Sequence, residues 1–161
     1  MEGTNKIILY RGIQGSGKST WAKQWVAEDP NHRVRFNNDD IRNMLGVYWV
    51  PARELIVFEL KRQFVASAMS FGYDIVIDNM NLSEREVGFF KKIVEKHNNP
   101  EGCVPDMVQS HYVLEFKDFK TPLEECIERD SKRPNPIGAE VITATYNKYK
   151  SFYEDGSVCN M

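Results

Sequence analysis

A glycine-rich segment near the amino terminus constrains the fold more than any other part of this sequence. Residues 12–20 read GIQGSGKST and contain the pattern G-x-x-x-x-G-K-[ST]. The segment follows a short apolar run at residues 7–10 and opens onto a helix-compatible stretch that begins at Thr20. A strand, a glycine turn and a helix start are the context that a phosphate-binding P-loop requires. The pattern therefore predicts a nucleoside triphosphate site; the alternative is a glycine turn that carries a surface lysine.

The residue types in this segment suit contacts with a triphosphate. Glycines allow backbone N–H groups to curl around phosphate oxygens, and the start of a helix adds a partial positive charge. We expect Lys18 to reach the β- and γ-phosphates and the Ser19 hydroxyl to bind Mg²⁺. The expected ligand is ATP or another nucleoside triphosphate with Mg²⁺. The predicted nucleotide-binding residues are Gly12, Gln14, Gly15, Ser16, Gly17, Lys18, Ser19 and Thr20.

Strand and helix patterns alternate along the rest of the chain. Strands are predicted at residues 6–11, 33–36 and 74–78 and within 107–116, with helical patterns between and after them. This order predicts an α/β fold with a parallel sheet of about four to five strands, flanked by helices and covered by a helical lid. The helix at residues 52–71 is expected to present one apolar face, made of Val57, Leu60, Phe64, Ala68 and Phe71.

The later helices have recognisable start signals. Capping boxes are predicted at Ser83 and at Thr121, each with a glutamate three residues later. A last helix is expected to carry Ile142, Tyr146, Tyr149 and Phe152 on one face, and the tail after Glu154 is expected to fray.

Length, charge and composition narrow the class of protein. The 161 residues suit a single domain, 1–161, and no apolar run is long enough to cross a membrane. The net charge of −2 gives no global sign of a nucleic-acid partner, so any such binding would need a local groove. Three scattered cysteines and three scattered histidines have no metal-ligand spacing. We expect reduced thiols in a cytoplasmic protein; the oligomeric state, including a homo-oligomer, stays open.

Polar residues follow the second and third predicted strands. Ligands of open α/β sheets bind at the carboxyl ends of the strands, so these residues are candidates for the acceptor side of the site. Asp39 is a candidate general base three residues before Arg42, and its alternative role is to cap the following helix; Asp40 could serve instead. Asp78 fits a Mg²⁺ position, held directly or through water, or a turn or capping aspartate.

Two arginines and two aromatic residues complete the set of candidates. Arg129 and Arg133 lead into a proline-rich break and could close over the triphosphate, although Glu125 is spaced to form a surface pair with Arg129. Tyr48 and Trp49 could stack on a base or could simply pack in a loop.

The motifs together resemble the polynucleotide 5′-hydroxyl kinase family, specifically the kinase domain of phage-type polynucleotide kinase/phosphatase. The resemblance covers residues 6–153 and rests on GSGKSTWA at 15–22, NDDIR at 38–42, IDNMNL at 77–82 and RDSKR at 129–133. It implies that Asp39 is the general base for a 5′-OH and that Arg42 holds the 3′-phosphate of the acceptor. It further implies donor-phosphate contacts from Lys18, Arg129 and Arg133, and a position near the acceptor for Asp78 and Asn79.

Some positions depart from the family pattern. Gln14 stands where the family often has proline, Asn38 where phage relatives have arginine, and Met80 where threonine is frequent. No D-x-D-x-[TV] motif occurs, so 3′-phosphatase activity is not expected. The resemblance implies ATP-dependent phosphorylation of DNA or RNA 5′-OH ends in the cytoplasm, that of the host if the protein is phage-encoded. The alternatives are a small-molecule kinase of the same fold and a regulatory nucleotide-binding module.

Overall fold

The computed structural model of the protein describes residues 3–100 and 110–159. Four strands alternate with helices, which confirms the predicted α/β order. The strands are β1 (Thr4–Arg11), β2 (Arg33–Phe36), β3 (Asp74–Ile77) and β4 (His111–Asp118). The helices are α1 (Lys18–Glu28), α2 (Asn38–Met44), α3 (Glu54–Ser70), α4 (Glu84–Asn98), α5 (Leu123–Ser131), α6 (Ala139–Lys148) and α7 (Lys150–Asp155), with a 3-10 turn at Pro51–Arg53 before α3.

The strands form one parallel sheet in the order β2-β3-β1-β4. Ile8 of β1 pairs with Val76 of β3 and with Glu115 of β4, while Phe36 at the end of β2 pairs with Ile77. Because the strands are parallel, the loops that follow β1, β2 and β3 meet at one edge of the sheet. This arrangement brings the glycine-rich segment next to both polar clusters that were predicted to follow strands.

Side chains of β1 and β3 alternate between two packed layers. Ile7 and Leu9 of β1 join Ile75 and Ile77 of β3 in a core against α3 and α4. On the opposite face, Ile8, Tyr10 and Val76 pack with Ala22 of α1. A sheet that is covered on both faces explains the near-continuous apolar strands. None of the helices in residues 3–100 and 110–159 is long and apolar enough to span a membrane.

The two predicted capping boxes have different outcomes. At α4 the capping box is present: the Ser83 hydroxyl accepts from the backbone N–H of Glu86, whose carboxylate accepts from the N–H of Ser83. At α5 the prediction is wrong, because α5 begins after Pro122 without a side-chain cap. The Thr121 hydroxyl donates instead to the Ser16 carbonyl at 2.9 Å, and this contact joins α5 to the glycine-rich segment.

Three other expectations need correction. Val57 and Ala68 of the predicted apolar face are buried, and Val65 and Met69 are buried as well. Phe71, however, lies just beyond the end of α3 and is 79% exposed. The last predicted helix is divided into α6 and α7 at Tyr149. The segment after Glu154 is also held to the rest of the fold, because the N–H of Cys159 donates to the Leu82 carbonyl. Cys103 and positions 107–109 of the predicted fourth strand lie outside the described residues.

Candidate active site

The ends of β1 and β3 are joined by hydrogen bonds below the site. The N–H of Gly12 donates to the Met80 carbonyl, and the Asn81 amide donates to the carbonyls of Tyr10 at 2.8 Å and Ile77 at 3.0 Å. Asn81 has a φ of 52°, a left-handed conformation that asparagine tolerates better than most residues. The segment 78–82 is therefore held against the glycine-rich loop rather than projecting into solvent.

A cavity of about 280 Å³ opens at this edge of the sheet. Its wall includes most of the predicted site residues: Gln14, Gly15, Ser16, Gly17, Lys18, Ser19, Thr20, Asp39, Arg42, Asp78, Asn79 and Arg133. Tyr48 also lines the cavity, whereas Gly12 and Arg129 do not. One cavity thus brings the predicted donor and acceptor residues together.

Glycine is required at position 15 for a steric reason that the sequence does not reveal. Gly15 has a φ of +78°, and a Cβ at this position would lie 2.4 Å from the carbonyl oxygen of Cys126 in α5. Helix α5 therefore packs directly on the phosphate-binding loop, and the close approach of the two backbones leaves no room for a side chain.

Lys18 lies folded across its own loop. Its ammonium donates to the carbonyls of Gly12 at 2.7 Å and Ile13 at 2.8 Å and to Ser16 Oγ at 3.3 Å. Burial lowers the pKa of Lys18 to about 8, and the negative charge of Asp78 partly opposes this change. A triphosphate in the loop would provide the charged partner that this buried ammonium lacks among the described residues.

Asp39 does not cap α2, so that alternative for its role is wrong. Asn37 is the cap: its side-chain oxygen accepts from the N–H of Asp40 at 3.0 Å. Asp39 Oδ1 instead accepts from Arg42 Nη1 at 2.6 Å and from the Tyr48 hydroxyl at 2.9 Å. Two donors on one oxygen orient the carboxylate and leave Oδ2 as the acceptor that can face a hydroxyl.

Arg42 pairs with two carboxylates of the site. Besides Asp39, it donates to Glu54 through Nε at 2.9 Å and Nη2 at 2.7 Å, a bidentate contact. These hydrogen bonds raise the pKa of Arg42 and lower that of Glu54. The guanidinium also lies 5.5 Å from the Trp49 ring and 6.0 Å from the Tyr48 ring. Tyr48 and Trp49, which lie in the loop after α2, thus pack near Arg42 beside the cavity.

Asp78 is buried and bound on one oxygen only. Arg35 donates to Asp78 Oδ2 through Nε at 2.9 Å and Nη2 at 2.7 Å, and it also pairs with Asp40. Oδ1 of Asp78 has no hydrogen-bond partner among the described residues. Asp40, which pairs with Arg35, does not line the cavity, whereas Asp39 does.

Asn79 and Asn37 join the two acceptor-side loops. Asn79 Oδ1 accepts from the backbone N–H of Asn38 at 2.8 Å, and the Asn37 amide donates to the Asp78 carbonyl. Asn79 therefore holds the first turn of α2, which carries Asp39. This contact is structural, and it leaves the amide group of Asn79 available to a ligand.

The two predicted lid arginines differ in position. Arg133 lines the cavity and pairs at 3.6 Å with Asp130, which also accepts from the N–H groups of Ile137 and Gly138. Asp130 thereby fixes the loop between α5 and α6. Arg129 lies beside Gly17, and its Nη1 is 3.1 Å from the position that a Cβ on Gly17 would take. Arg129 also pairs with Glu125, which is the surface pair that the spacing predicts.

The donor set suits Mg²⁺ as a partner of bound phosphates. No group of three or more His, Cys, Asp or Glu side chains capable of holding a metal occurs in the part of the chain that the structure describes. Ser19 and Asp78 both line the cavity, however, and oxygen ligands are those that Mg²⁺ prefers. Oδ1 of Asp78 is buried and has no hydrogen-bond partner among the described residues. An ion shared with phosphate oxygens fits these residues, whereas an all-protein site does not.

Two contributors to the site were missed in the sequence. The sequence predicts a strand at residues 33–36 and gives Arg35 no role in the site. Asn37 was included in a polar cluster without its own role, although asparagine before a helix is a common cap. Their partners lie about forty residues away, so spacing alone does not identify the contacts.

Comparison with known proteins places these features in context. The AAA domain family model (AAA_33) matches residues 7–155. A relative described as a putative bifunctional polynucleotide kinase/RNA ligase, from Autographa californica nuclear polyhedrosis virus, is 26% identical over 164 residues. The match covers 91% of this chain and 21% of the relative, so the chain spans about a fifth of that protein.

Solved structures share the fold. A chain of the Pnkp1/Rnl/Hen1 RNA repair complex aligns with a TM-score of 0.69 at 23% identity, covering 94% of this chain and 45% of that chain. A second structure of the Pnkp1/Rnl/Hen1 complex gives 0.61 at 25%, covering 78% and 38%. The Mycobacterium tuberculosis APS kinase CysC with AMPPNP and APS gives 0.54 at 17%, covering 80% and 69%. These alignments confirm the predicted P-loop kinase fold.

Proposed function

This chain belongs to the AAA domain family, whose model spans residues 7–155, and from that premise we propose that it is an ATP-dependent kinase of nucleic-acid 5′-OH ends. The P-loop kinase fold supports nucleotide binding and kinase activity. The curated relative and the RNA repair structures support the resemblance to polynucleotide kinases and favour a polynucleotide acceptor. We assign the activity to one domain, because β1 to β4 form a single sheet.

The observation that carries the proposal is the placement of Asp39. Its carboxylate lines the same cavity as the P-loop, and two donors hold Oδ1. An acceptor hydroxyl between Asp39 and the γ-phosphate would lie between a base and an electrophile, the arrangement that phosphoryl transfer to an alcohol needs.

The proposed reaction has one chemical step. Asp39 accepts the proton of the 5′-OH as its oxygen bonds to the γ-phosphorus, and the bond between the γ-phosphorus and the β–γ bridging oxygen breaks to release ADP. Lys18 and Arg133 would stabilise negative charge on the donor phosphates, with Arg129 approaching from beside Gly17. Arg42 would contact the 3′-phosphate of the terminal nucleotide, and Asp78 and Asn79 would border the acceptor.

The Ser19 hydroxyl would hold Mg²⁺ together with the bound phosphates, and Asp78, which lines the same cavity, would bind the ion directly or through water. When bound, the ion would neutralise phosphate charge. Arg35 donates twice to Asp78 Oδ2 and leaves Oδ1 without a partner among the described residues. This is the observation that favours Asp78 for the role.

The direct test is transfer of label from γ-labelled ATP to a 5′-OH oligonucleotide. Asp39→Asn should lower kcat by about 10²- to 10⁴-fold while retaining nucleotide affinity, because only the proton acceptor is lost. Asp40→Asn is the matched control, because the Asp40 carboxylate is next in sequence but pairs with Arg35 and does not line the cavity. Equal losses in the two variants would contradict the assignment of the base.

The acceptor class is tested separately. Labelling of DNA and RNA oligonucleotides is the expected result. Label that appears only in a product smaller than a dinucleotide would replace the proposal with a small-molecule kinase. Slow ATP hydrolysis that no acceptor stimulates would indicate a nucleotide-binding module.

A further inference from the structure

A second groove of about 790 Å³ continues from the candidate active site between α3 and α4. Asn38, Arg42 and Glu86 line both the cavity and this groove, so the two spaces adjoin. The remaining wall is formed by side chains of α3 and α4, among them Phe58, Lys61, Arg85, Phe89 and Lys92. The proposed catalytic step uses none of those five residues.

Lys61 is the unusual residue of the groove. It is only 8% exposed, and its ammonium lies 4.5 Å from the Phe89 ring, 5.1 Å from Phe58 and 5.6 Å from Phe90. Among the described residues it makes no hydrogen bond, and no carboxylate lies within ion-pair distance of it. Burying an ammonium without such a partner is costly, and the desolvation lowers the pKa of Lys61.

The charges around Lys61 leave an excess of cations for a ligand. Four cations, Arg42, Lys61, Arg85 and Lys92, and three carboxylates, Glu54, Glu84 and Glu86, line the groove. Glu54 is engaged by its bidentate contact with Arg42, whereas Glu86 keeps its negative charge although its carboxylate accepts from Ser83 in the capping box. Arg85 and Lys92 are exposed on α4 at the groove. Phe58 is 43% exposed there, so an aromatic surface accompanies the positive charge.

We propose that this groove binds the acceptor strand beyond its terminal nucleotide, with Lys61 contacting a backbone phosphate and Phe58 contacting a base or sugar. The proposal rests on the proposed function, since it requires a single-stranded polynucleotide acceptor. Single-strand sites combine cations that follow the backbone with aromatic rings that stack on bases, and the groove has both.

The position of Arg42 gives the direction of the strand. In the proposed reaction it contacts the phosphate on the 3′ side of the terminal nucleotide, and it also forms the wall shared with the groove. A strand that leaves this phosphate can therefore enter the groove directly. Lys61 lies farther along α3, where the next phosphates would pass.

The test compares two acceptors in the intact protein. A 5′-OH hexanucleotide can occupy the groove, whereas a nucleoside 3′-phosphate ends at Arg42. For Lys61→Met, which keeps an apolar stem and removes the charge, the ratio of kcat/KM for the hexanucleotide to that for the nucleoside 3′-phosphate should fall about tenfold, as expected for the loss of one charged hydrogen bond. The plot of log KM for the hexanucleotide against log salt should also become shallower by about 0.7.

Lys91→Met is the matched control, because Lys91 is an exposed lysine of α4 outside the groove wall. It should leave both the ratio and the salt slope unchanged. A parallel loss for both acceptors in Lys61→Met, or an unchanged ratio and slope, would overturn the groove assignment while leaving the kinase proposal intact. Failure of the unmodified protein to label any oligonucleotide would instead overturn the proposed function.

Discussion

The Tyr48 hydroxyl donates a hydrogen bond to Asp39 Oδ1 at 2.9 Å. Burial and the nearby charge of Asp39 raise the pKa of Tyr48, so the phenol keeps its proton and acts as a donor. Arg42 donates to the same oxygen at 2.6 Å. The loop that follows α2 thus contributes to orienting the carboxylate proposed as the base.

Removing this donor should affect turnover more than binding. Tyr48→Phe keeps the ring that packs near Arg42 but loses the contact with Asp39, so the carboxylate is held by one donor instead of two. We expect kcat to fall about tenfold, because misplacement by a fraction of an ångström weakens proton transfer. The KM for ATP should not change. Steady-state kinetics check this, and a change confined to KM would contradict the positioning role.

Lys18→Met should separate folding from nucleotide binding. The ammonium is buried against loop carbonyls, and no carboxylate in residues 3–100 and 110–159 contacts it. Its removal should therefore not lower the melting temperature of the protein without nucleotide. The increase in melting temperature on adding ATP and Mg²⁺ should disappear, because the phosphates lose their main cation. Thermal scans with and without nucleotide measure both effects. A retained ATP-induced increase would show that Lys18 does not bind the triphosphate.

The Arg35–Asp78 pair should be important for stability. Arg35→Met leaves the fully buried Asp78 carboxylate without its cation, and we expect a loss of about 3–5 kcal/mol in the free energy of unfolding. Arg62→Met removes an arginine from an exposed pair with Glu59 and serves as the control. Urea unfolding should show a much smaller effect there. Comparable losses would indicate that Asp78 finds another partner.

Gly15→Ala should prevent close packing of α5. The added Cβ meets the Cys126 carbonyl at 2.4 Å in a left-handed backbone, so both a clash and strain are expected. Gly46→Ala is the control, since Gly46 has a φ of +101° with no atom within 4 Å of a Cβ. The control should cost about 1–2 kcal/mol from backbone strain alone. Denaturation of the two variants should therefore differ clearly, and similar losses would rule out the clash.

Lys61→Met should raise stability in a pH-dependent way. The folded-state pKa of Lys61 is lowered below 10.5, with Glu86 opposing and Arg85 adding to the effect of burial. Between the folded pKa and 10.5 the unfolded chain binds more protons, so the unmodified protein gains stability as pH rises. The advantage of the variant should thus be largest at neutral pH and shrink towards pH 10.5. Unfolding at several pH values tests this; a variant that is less stable at pH 7 would contradict it.

Local signals predicted the donor side well. The P-loop follows β1 and precedes α1 as expected, and the Ser83 capping box starts α4. Contacts of this kind span a few residues, so spacing is enough to recognise them. The Thr121 prediction failed because its hydroxyl found the Ser16 carbonyl, 105 residues earlier in the chain, instead of the start of its own helix.

The acceptor side depended on contacts that spacing does not contain. Arg35 reaches Asp78 across the β2–β3 pairing, and Asn37 links the same two loops. Lys61 is unremarkable as a residue of an amphipathic helix, but in the structure its ammonium lies against Phe58 of its own helix and Phe89 and Phe90 of α4. Phe71 shows the converse: its apolar character predicted burial, but α3 ends just before it.

The glycine-rich segment at residues 12–20 by itself determined a P-loop, because glycine backbone freedom and a helix start are properties of consecutive residues. The tertiary structure decided what lies opposite that loop. The parallel pairing of β2 and β3 brings Asp39 and Asp78 to one cavity, and the packing of α3 on α4 extends it into a basic, aromatic groove. Those contacts join distant segments, so only the folded chain can specify them.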